Sequence, residues 1–156
     1  MAKTTKETVR DEFEDDLDNA NPASVIEFST DLNEQEAPVP LPEGDYEAEI
    51  RSVEIKESQR KTKYAEVTFL ISPDQYPADF SEDGNPDGEI LKYRRVSLED
   101  NPRSRFNTRK FIEAIGAPLG KRIDLNQWIG CRANVTIGHD EYEGEMRANV
   151  TRVSAF

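Results

Sequence analysis

The sequence contains a single cysteine and a single histidine, and it has no long apolar run. With Cys131 alone no internal disulfide can form, which indicates a reducing compartment and a small core side chain at this position. No segment approaches the roughly 20 apolar residues of a membrane helix, and the N-terminus lacks the apolar region of a secretory signal. We therefore expect a cytoplasmic protein, in which the two Asn-Val-Thr tripeptides are not glycosylation sites.

Residue patterns typical of enzymes are also missing. The histidine, His139, falls in a predicted turn, and neither the Cys/His spacing of a zinc site nor a glycine-rich phosphate loop is present. The segment Asp83 to Gly88 fits the start of a calcium loop, but Arg94 stands where the bidentate Glu belongs. We interpret this segment as part of a turn-rich acidic loop, and we expect no catalytic residues, no cofactor and no metal site.

The net charge of −12 is unevenly distributed along the chain. Residues 1–43 carry twelve acidic and three basic side chains, whereas residues 44–156 carry twenty acidic and seventeen basic ones. Within the second part, residues 72–89 have six acids and no base, and residues 90–122 have nine bases against three acids. A chain that is acidic on average therefore still has a strongly basic segment, as a nucleic-acid-binding protein requires.

The N-terminal part, residues 1–43, is predicted to be a disordered acidic tail with a proline-rich linker. It has few large apolar groups and cannot bury enough surface to offset the entropy of ordering. A short apolar stretch is the exception, and its side chains Val25, Ile26 and Phe28 are candidates for binding a partner protein. The prolines between Ala37 and Gly44 favour an extended linker, so we place the folded domain at residues 44–156.

Alternation of apolar and polar residues predicts three strands before residue 100. They are GDYEAEIRSVEIKE, which changes phase near its middle as a bulge would, YAEVTFLIS, and EILKYRRVSL after the long loop 72–89. The side chains expected to face the core in the first two strands are Tyr46, Ala48, Ile50, Val53, Ile55, Ala65, Val67, Phe69 and Ile71.

A helix is predicted to follow the third strand. Asn101 and Pro102 are typical of a helix start, and Gly116 of a helix end. Its expected apolar stripe consists of Phe106, Phe111, Ile112 and Ile115. Asp124 is expected to cap one further helical turn that packs Trp128 against the domain.

The pentapeptide RANVT occurs twice, starting at Arg132 and at Arg147. The two copies are interpreted as the arms of an antiparallel hairpin with a turn near Glu143-Gly144. Two similar strands are too few and too short for a repeat protein, so we attribute the similarity to coincidence. The small apolar residues expected to face inward are Cys131, Ala133, Val135, Ile137, Met146, Ala148 and Val150, with Arg, Asn and Thr outward.

The predicted order of elements is three strands, a helix and two strands. This is the order of an OB-fold, a mainly β, five-stranded and partly open Greek-key barrel with one helix between strands 3 and 4. Such barrels bind ligands on strands 2 and 3 and with the loops that join strands 1–2 and 4–5. Single-stranded nucleic acid needs cations along its backbone and flat rings for its bases, and this chain has both on those elements.

The predicted nucleic-acid-binding residues belong to the first turn, the third strand, the helix and the last turn. They are Arg60, Lys61, Lys63, Tyr64, Lys92, Tyr93, Arg94, Arg95, Arg103, Arg105, Arg109 and Tyr142. Two alternatives stay open. Tyr93 shares the alternation of Leu91, which also fits a core position. The helix arginines also fit a solvated helix face.

The folded part resembles a family of small phage-encoded OB-fold proteins, regarded as single-stranded-DNA-binding factors and often encoded beside recombination or replication genes. The resemblance covers about residues 41–153, and its most family-like segments are LPEGDYEAEI, RKFIEAIGAP and WIGCRANVTIGHDEYEGEMRANVTRV. It implies non-catalytic, sequence-tolerant binding of single-stranded DNA in phage DNA replication or recombination, in the cytoplasm of an infected bacterium.

Two other classes of function are compatible with the sequence. One is a virion component or protein-interaction barrel that does not bind nucleic acid, and the other is an acidic DNA mimic that inhibits a host protein. The acidic tail has three candidate roles: occupying the basic groove of its own domain, recruiting phage replication or recombination proteins, or keeping the protein soluble.

Overall fold

The computed structural model describes residues 22–156, and residues 37–156 form one compact unit. Six regular elements make up this unit: β1 (Gly44–Glu57), β2 (Lys63–Ile71), β3 (Glu89–Ser97), α1 (Pro102–Ile115), β4 (Arg132–Tyr142) and β5 (Glu145–Ser154). One 3-10 helix, Pro73–Gln75, lies between β2 and β3, and another, Leu125–Trp128, lies between α1 and β4. No helix within the described residues is long and apolar enough to cross a membrane.

The five strands form one open sheet in the order β3-β2-β1-β4-β5. All four neighbouring pairs are antiparallel, and β3 and β5 are the edge strands. The predicted mainly β class, with five strands and one helix between the third and fourth, is confirmed at this level.

The residues before 37 belong to a separate unit, of which the structure describes residues 22–36. Two short 3-10 helices, Pro22–Ser24 and Leu32–Glu34, lie on either side of the predicted partner-binding stretch. The side chains of Val25, Ile26 and Phe28 are exposed. The rest of the tail, residues 1–21, for which disorder was predicted, lies outside the described residues.

The core side of β1 and β2 follows the predicted alternation with one exception. Strand β1 has a register shift between Ile50 and Ser52, which confirms the bulge. The predicted inward residues of β1 up to Ile50 and those of β2 are buried, and Val53 packs against them. The prediction for Ile55 is wrong, because all four residues of Glu54–Glu57 are exposed at the end of β1, where no second layer covers the strand.

Helix α1 begins and ends where the sequence predicts. The Asn101 side chain accepts a hydrogen bond from the Ser104 N–H at 3.0 Å, and Gly116 adopts a left-handed φ of 75° after the last turn. Phe111, Ile112 and Ile115 are buried against the sheet.

Phe106 does not belong to the buried stripe of α1, contrary to the prediction. The positions that continue the stripe toward the N-terminus at helical spacing are Ser104 and Thr108. Their hydroxyl groups hydrogen-bond Ser97, at 3.0 Å to its hydroxyl and 2.6 Å to its carbonyl. Phe106 therefore points to solvent, with the Lys110 ammonium 5.4 Å from the ring centroid.

The β4–β5 hairpin is confirmed, with Glu143 and Gly144 at its turn. Both residues have positive φ, 53° and 83°, as a tight two-residue hairpin turn requires. Its inward residues Ala133, Val135, Ile137 and Val150 are buried. The prediction fails for Met146, which is exposed because the tip of the hairpin extends beyond the core.

His139 lies in strand β4 rather than in a turn, which corrects the sequence prediction. Its ring Nε2 is 2.7 Å from the Leu41 carbonyl oxygen, and its backbone N–H donates to Glu43 Oε2 at 3.2 Å. The half-buried imidazole therefore has a structural role, because it joins β4 to the segment before β1.

The segment before Gly44, interpreted from sequence as a linker, contributes to the core. Leu41 is fully buried, and the Tyr46 hydroxyl donates to the Pro42 carbonyl at 2.7 Å. The compact unit begins at Ala37, several residues before the predicted start of the domain. A single leucine among prolines gives no periodic signal, so the sequence could not show this contact.

Leu41→Ala should lower the free energy of unfolding by about 2–5 kcal/mol, because it removes a fully buried side chain and leaves a cavity. Val39→Ala is the control, since Val39 is 51% exposed and its truncation should change stability by about 0.5 kcal/mol or less. Urea unfolding followed by the fluorescence of the buried Trp128 measures both. Equal, small effects would mean that the segment before Gly44 is only a linker.

Candidate nucleic-acid interface

The edge strands β3 and β5 border a common groove with a volume of about 390 Å³. We call it the seam groove; its lining consists of Ile90, Leu91, Lys92, Tyr93, Arg94, Arg95, Asp140, Arg147, Ala148, Asn149 and Val150. Four of these side chains are cationic and one, Asp140, is acidic. The groove therefore carries a local positive charge on a chain whose net charge is −12.

A bulge in β3 puts two consecutive arginines on the outside of the sheet. Val67 pairs with Tyr93 and Ala65 pairs with Val96, so β3 has one residue more than β2 over this interval. Tyr93 and Val96 both face the core side, and Arg94 and Arg95 are both exposed between them. Without the extra residue, strict alternation would direct only one of the two arginines outward.

Glu66 lies at the centre of the outer face of β2, among three cations. Its carboxylate is 2.6 Å from Arg94 Nε, 3.5 Å from Lys92 Nζ and 3.9 Å from Lys56 Nζ. We call these four residues the Glu66 cluster. Glu66 is only 6% exposed, although it points away from the hydrophobic core.

The cations of the cluster keep Glu66 ionised. The hydrogen bond from Arg94 is the main cause that lowers the pKa of the Glu66 carboxyl, and the charges of Lys92, Arg94 and Lys56 lower it further. Burial acts in the opposite direction but does not prevail. The cluster is thus a carboxylate with more positive than negative neighbours, and it retains unneutralised positive charge at the surface.

Tyr93 was predicted to bind nucleic acid, with a core position as the alternative, and its half-buried ring packs against two other aromatic rings. Its ring lies 5.8 Å from the ring of Phe111 at an interplanar angle of 14°, and 6.3 Å from the ring of Phe69. Burial raises the pKa of its hydroxyl. The ring packs within the domain and only borders the seam groove, so the core alternative describes Tyr93.

Tyr142 and Arg147 form a pair at the tip of the β4–β5 hairpin. The Arg147 guanidinium carbon lies 4.5 Å from the centroid of the exposed Tyr142 ring. Next to this pair, Asn149 Nδ2 donates to Asp140 Oδ2 at 2.9 Å, which holds the acid of the groove. Tyr142 was predicted, whereas Arg147 was not, although its outward position in the second RANVT copy was a usable signal.

The β1–β2 turn places its predicted cations outside the seam groove. Arg60 and Lys61 are exposed in the turn, where Lys61 has a positive φ of 63°, and Lys63 is exposed at the start of β2. Tyr64 is half-buried on the same sheet face as the Glu66 cluster and pairs with Lys56 of β1. Tyr64 can therefore extend the interface along β2, toward the turn.

The arginines of α1 also lie outside the seam groove. Arg105 pairs with Asp100 at 2.6 Å and Arg109 with Glu113 at 3.2 Å, while Arg103 is exposed in the first turn. The ion pairs of Arg105 and Arg109 and the solvated position of Arg103 fit the helix-face alternative.

The acidic loop between β2 and β3 packs against the start of β1. Gln75 Oε1 accepts a hydrogen bond from the Glu47 N–H at 3.3 Å, and Phe80 is buried in the core. Within the described residues, no group of His, Cys, Asp and Glu side chains is arranged to hold a metal ion, the segment Asp83 to Gly88 included. None of the residues that line the seam groove comes from this loop.

Glu66→Gln should reduce the free energy of unfolding near neutral pH, because it removes the negative charge from the Glu66 cluster. The folded-state pKa of Glu66 lies below its ordinary value of 4.5, so its contribution is complete above that pH and is lost as the pH falls through the lower, folded-state pKa. Urea unfolding at a series of pH values should show the difference from the wild type shrinking below about pH 4.5.

Glu54→Gln is the matched control for this pH series. Glu54 faces Glu66 across β1 and β2, but its side chain is 63% exposed and contacts Lys56 alone in the described part of the chain. It should have little effect at any pH. If the difference in the free energy of unfolding between wild type and Glu66→Gln stays constant into the acid range, the folded-state pKa of Glu66 is not lowered by its cationic neighbours.

No protein-family model matches the chain, and comparison with curated proteins gives no match. The charges, distances and burial described above are therefore the basis on which we infer the function.

Proposed function

We propose that this protein is a non-catalytic, sequence-tolerant single-stranded-DNA-binding protein built on an OB-type barrel. The sequence resemblance favours a role in phage DNA replication or recombination. The observation that carries the proposal is the concentration of Lys92, Arg94, Arg95 and Arg147 around one groove between the two edge strands.

The strand arrangement supports the OB-type assignment. An OB-fold is a five-stranded, partly open barrel, and here the helix lies between the third and fourth strands of a five-stranded sheet. The two edge strands line the same groove, which requires the sheet to curl until β3 and β5 face each other. Register shifts in β1–β2, β2–β3 and β4–β5 provide the curvature.

The chemistry of the groove suits a polynucleotide backbone. Phosphates bind where cations are clustered, and this part of their affinity is independent of sequence. Lys92 and Arg94 share Glu66, whereas Arg95 makes no ion pair among the described residues and Arg147 contacts the Tyr142 ring. Neither arginine has a carboxylate partner within residues 22–156, so both can receive phosphate oxygens there, and the exposed ring of Tyr142 is available to a base.

The overall acidity of the chain does not oppose this proposal. Six of the acids lie in the loop 72–89, which lines no part of the seam groove. At physiological salt the Debye length is about 8 Å, so charges beyond the neighbourhood of the groove are largely screened. The relevant quantity is therefore the local balance: four cations against Asp140 in the groove lining and Glu66, which contacts two of those cations.

The direct test is fluorescence anisotropy of a labelled oligo-dT over a range of salt concentrations. Binding should weaken with salt, with a log–log slope of about −0.7 for each phosphate neutralised. No affinity at low salt would refute the proposal and favour a structural or protein-interaction role, for which exposed Val25, Ile26 and Phe28 are the available apolar residues. Binding to a host DNA-binding protein instead of DNA would favour the DNA-mimic alternative.

Arg147→Gln should weaken oligo-dT binding and reduce the salt slope by about 0.7, because one phosphate contact is lost. The matched control is Arg132→Gln, which makes the same change in the first RANVT copy. Arg132 pairs with Glu47 near the centre of the sheet and does not line the seam groove. Equal effects of the two substitutions would show that only net charge matters and that the groove is not the binding site.

Tyr142→Leu should cost about 1–3 kcal/mol of binding free energy if a base stacks on the ring. Phe106→Leu is the control, since both rings are about half exposed, 53% and 56%, and each lies beneath a cation. Phe106 is on α1, away from the groove, and its loss should leave binding unchanged. Anisotropy at one fixed salt concentration measures both, and equal affinities of the two variants would exclude stacking at the hairpin tip.

A further inference from the structure

Glu66 is the single buried charged residue among those the structure describes, and it contacts Lys92 and Arg94, which line the seam groove. A carboxylate on the binding face of a protein for polyanions repels phosphate, and burying it costs free energy unless it is paired. We therefore expect Glu66 to have a function among Lys56, Lys92 and Arg94 beyond neutralising part of their charge.

The geometry of the ion pair suggests that role. The contact between Glu66 and Arg94 uses the Nε atom of Arg94, at 2.6 Å from Glu66 Oε2. A guanidinium group has five N–H donors in a rigid plane, and one of them is on Nε. Within residues 22–156, Arg94 makes no side-chain hydrogen bond through Nη1 or Nη2, so none of the four donors on these nitrogens is used by this part of the chain.

We propose that Glu66 is a positioning residue that fixes the Arg94 guanidinium so that its terminal nitrogens bind a phosphate of the nucleic-acid backbone in a bidentate manner. This inference rests on the proposed function. The side chain of Arg94 is 58% exposed, which leaves its outer edge accessible to a ligand. Planar, two-point recognition of phosphate is specific to arginine, and lysine cannot replace it.

Orientation also reduces the entropic cost of binding. A free arginine on a strand surface has many rotamers and loses them when it binds phosphate. The bond to Glu66 restricts the rotamers of Arg94 before a ligand binds, and the exposed Arg95 beside it has no such anchor among the described residues. We therefore expect Arg94 to contribute more to affinity than its equally charged neighbour.

The test separates the orientation of Arg94 from its charge. Oligo-dT affinity is measured as a function of salt concentration and extrapolated to about 1 M salt, because the release of counterions no longer contributes to the affinity there. Glu66→Gln should weaken the extrapolated affinity about tenfold, as loss of an oriented charge-assisted pair implies. Glu54→Gln removes the same charge from the same sheet face without contacting Arg94, and should leave the extrapolated affinity unchanged.

Arg94→Lys tests the same inference without altering Glu66. It keeps the positive charge and removes the planar group, so it should also weaken the extrapolated affinity about tenfold while leaving the salt slope unchanged. The double variant Glu66→Gln/Arg94→Lys should bind no more weakly than Arg94→Lys alone, because residues that act as one unit are not additive. Circular dichroism and urea unfolding establish that each variant is folded.

Three results would overturn the inference. If Glu66→Gln binds as tightly as Glu54→Gln after extrapolation, Glu66 only neutralises charge. If Arg94→Lys keeps the wild-type affinity, the planar group is not used, and this result decides the matter even where Glu66→Gln is unfolded. If the wild type itself fails to bind oligo-dT, both this inference and the proposed function are wrong. If the wild type binds and only the variants depart from the expected results, this inference alone is wrong.

Discussion

The bulge in β3 is the constraint on which the candidate site depends. This strand must supply Tyr93 and Val96 to the core, and it must also present cations to the solvent on its other side. Regular alternation cannot satisfy both over the sequence YRRV, because Tyr93 and Val96 are three positions apart. One extra residue opposite Glu66 resolves the conflict and leaves Arg94 and Arg95 side by side outside.

The same bulge explains how a buried carboxylate is tolerated on the sheet surface. Glu66 faces an interval of β3 that contains two arginines, and the shift brings Arg94 Nε within 2.6 Å of its carboxylate. The acid is 6% exposed, whereas the side chains of the three surrounding cations are 44% to 58% exposed. Burial of the acid and exposure of the cations are therefore two results of one arrangement.

Local patterns in the sequence predicted most of the fold, whereas long-range pairing set the details of the site. The alternation of Ala65, Val67, Phe69 and Ile71 and the caps Asn101 and Gly116 are properties of short segments, and the structure agrees with them. The errors at Ile55 and Met146 have one physical cause, because alternation reports which way a side chain points and not whether another layer covers it.

The candidate site was predictable only in part, for a related reason. Lys92, Arg94 and Arg95 are conspicuous as a basic segment, so composition alone identified them. Nothing local distinguishes Glu66 from the other acids of the chain, since its significance comes from a contact with Arg94, 28 positions away. Arg147 joins the groove only because the sheet curls and brings β5 next to β3, and the segregated charge of residues 90–122 gave no hint of it.

The register shifts also determine where such a strand can change in length. Deleting one residue in a regular stretch would exchange the two faces of the strand on one side of it, so that apolar side chains met water and lysines met the core. Deleting one residue at a bulge would instead remove the extra residue and restore regular alternation, at the cost of one outward side chain. The connection between β2 and β3 lies outside the strands, so we expect it to tolerate a change of length better than they do, provided that Phe80 stays in the core.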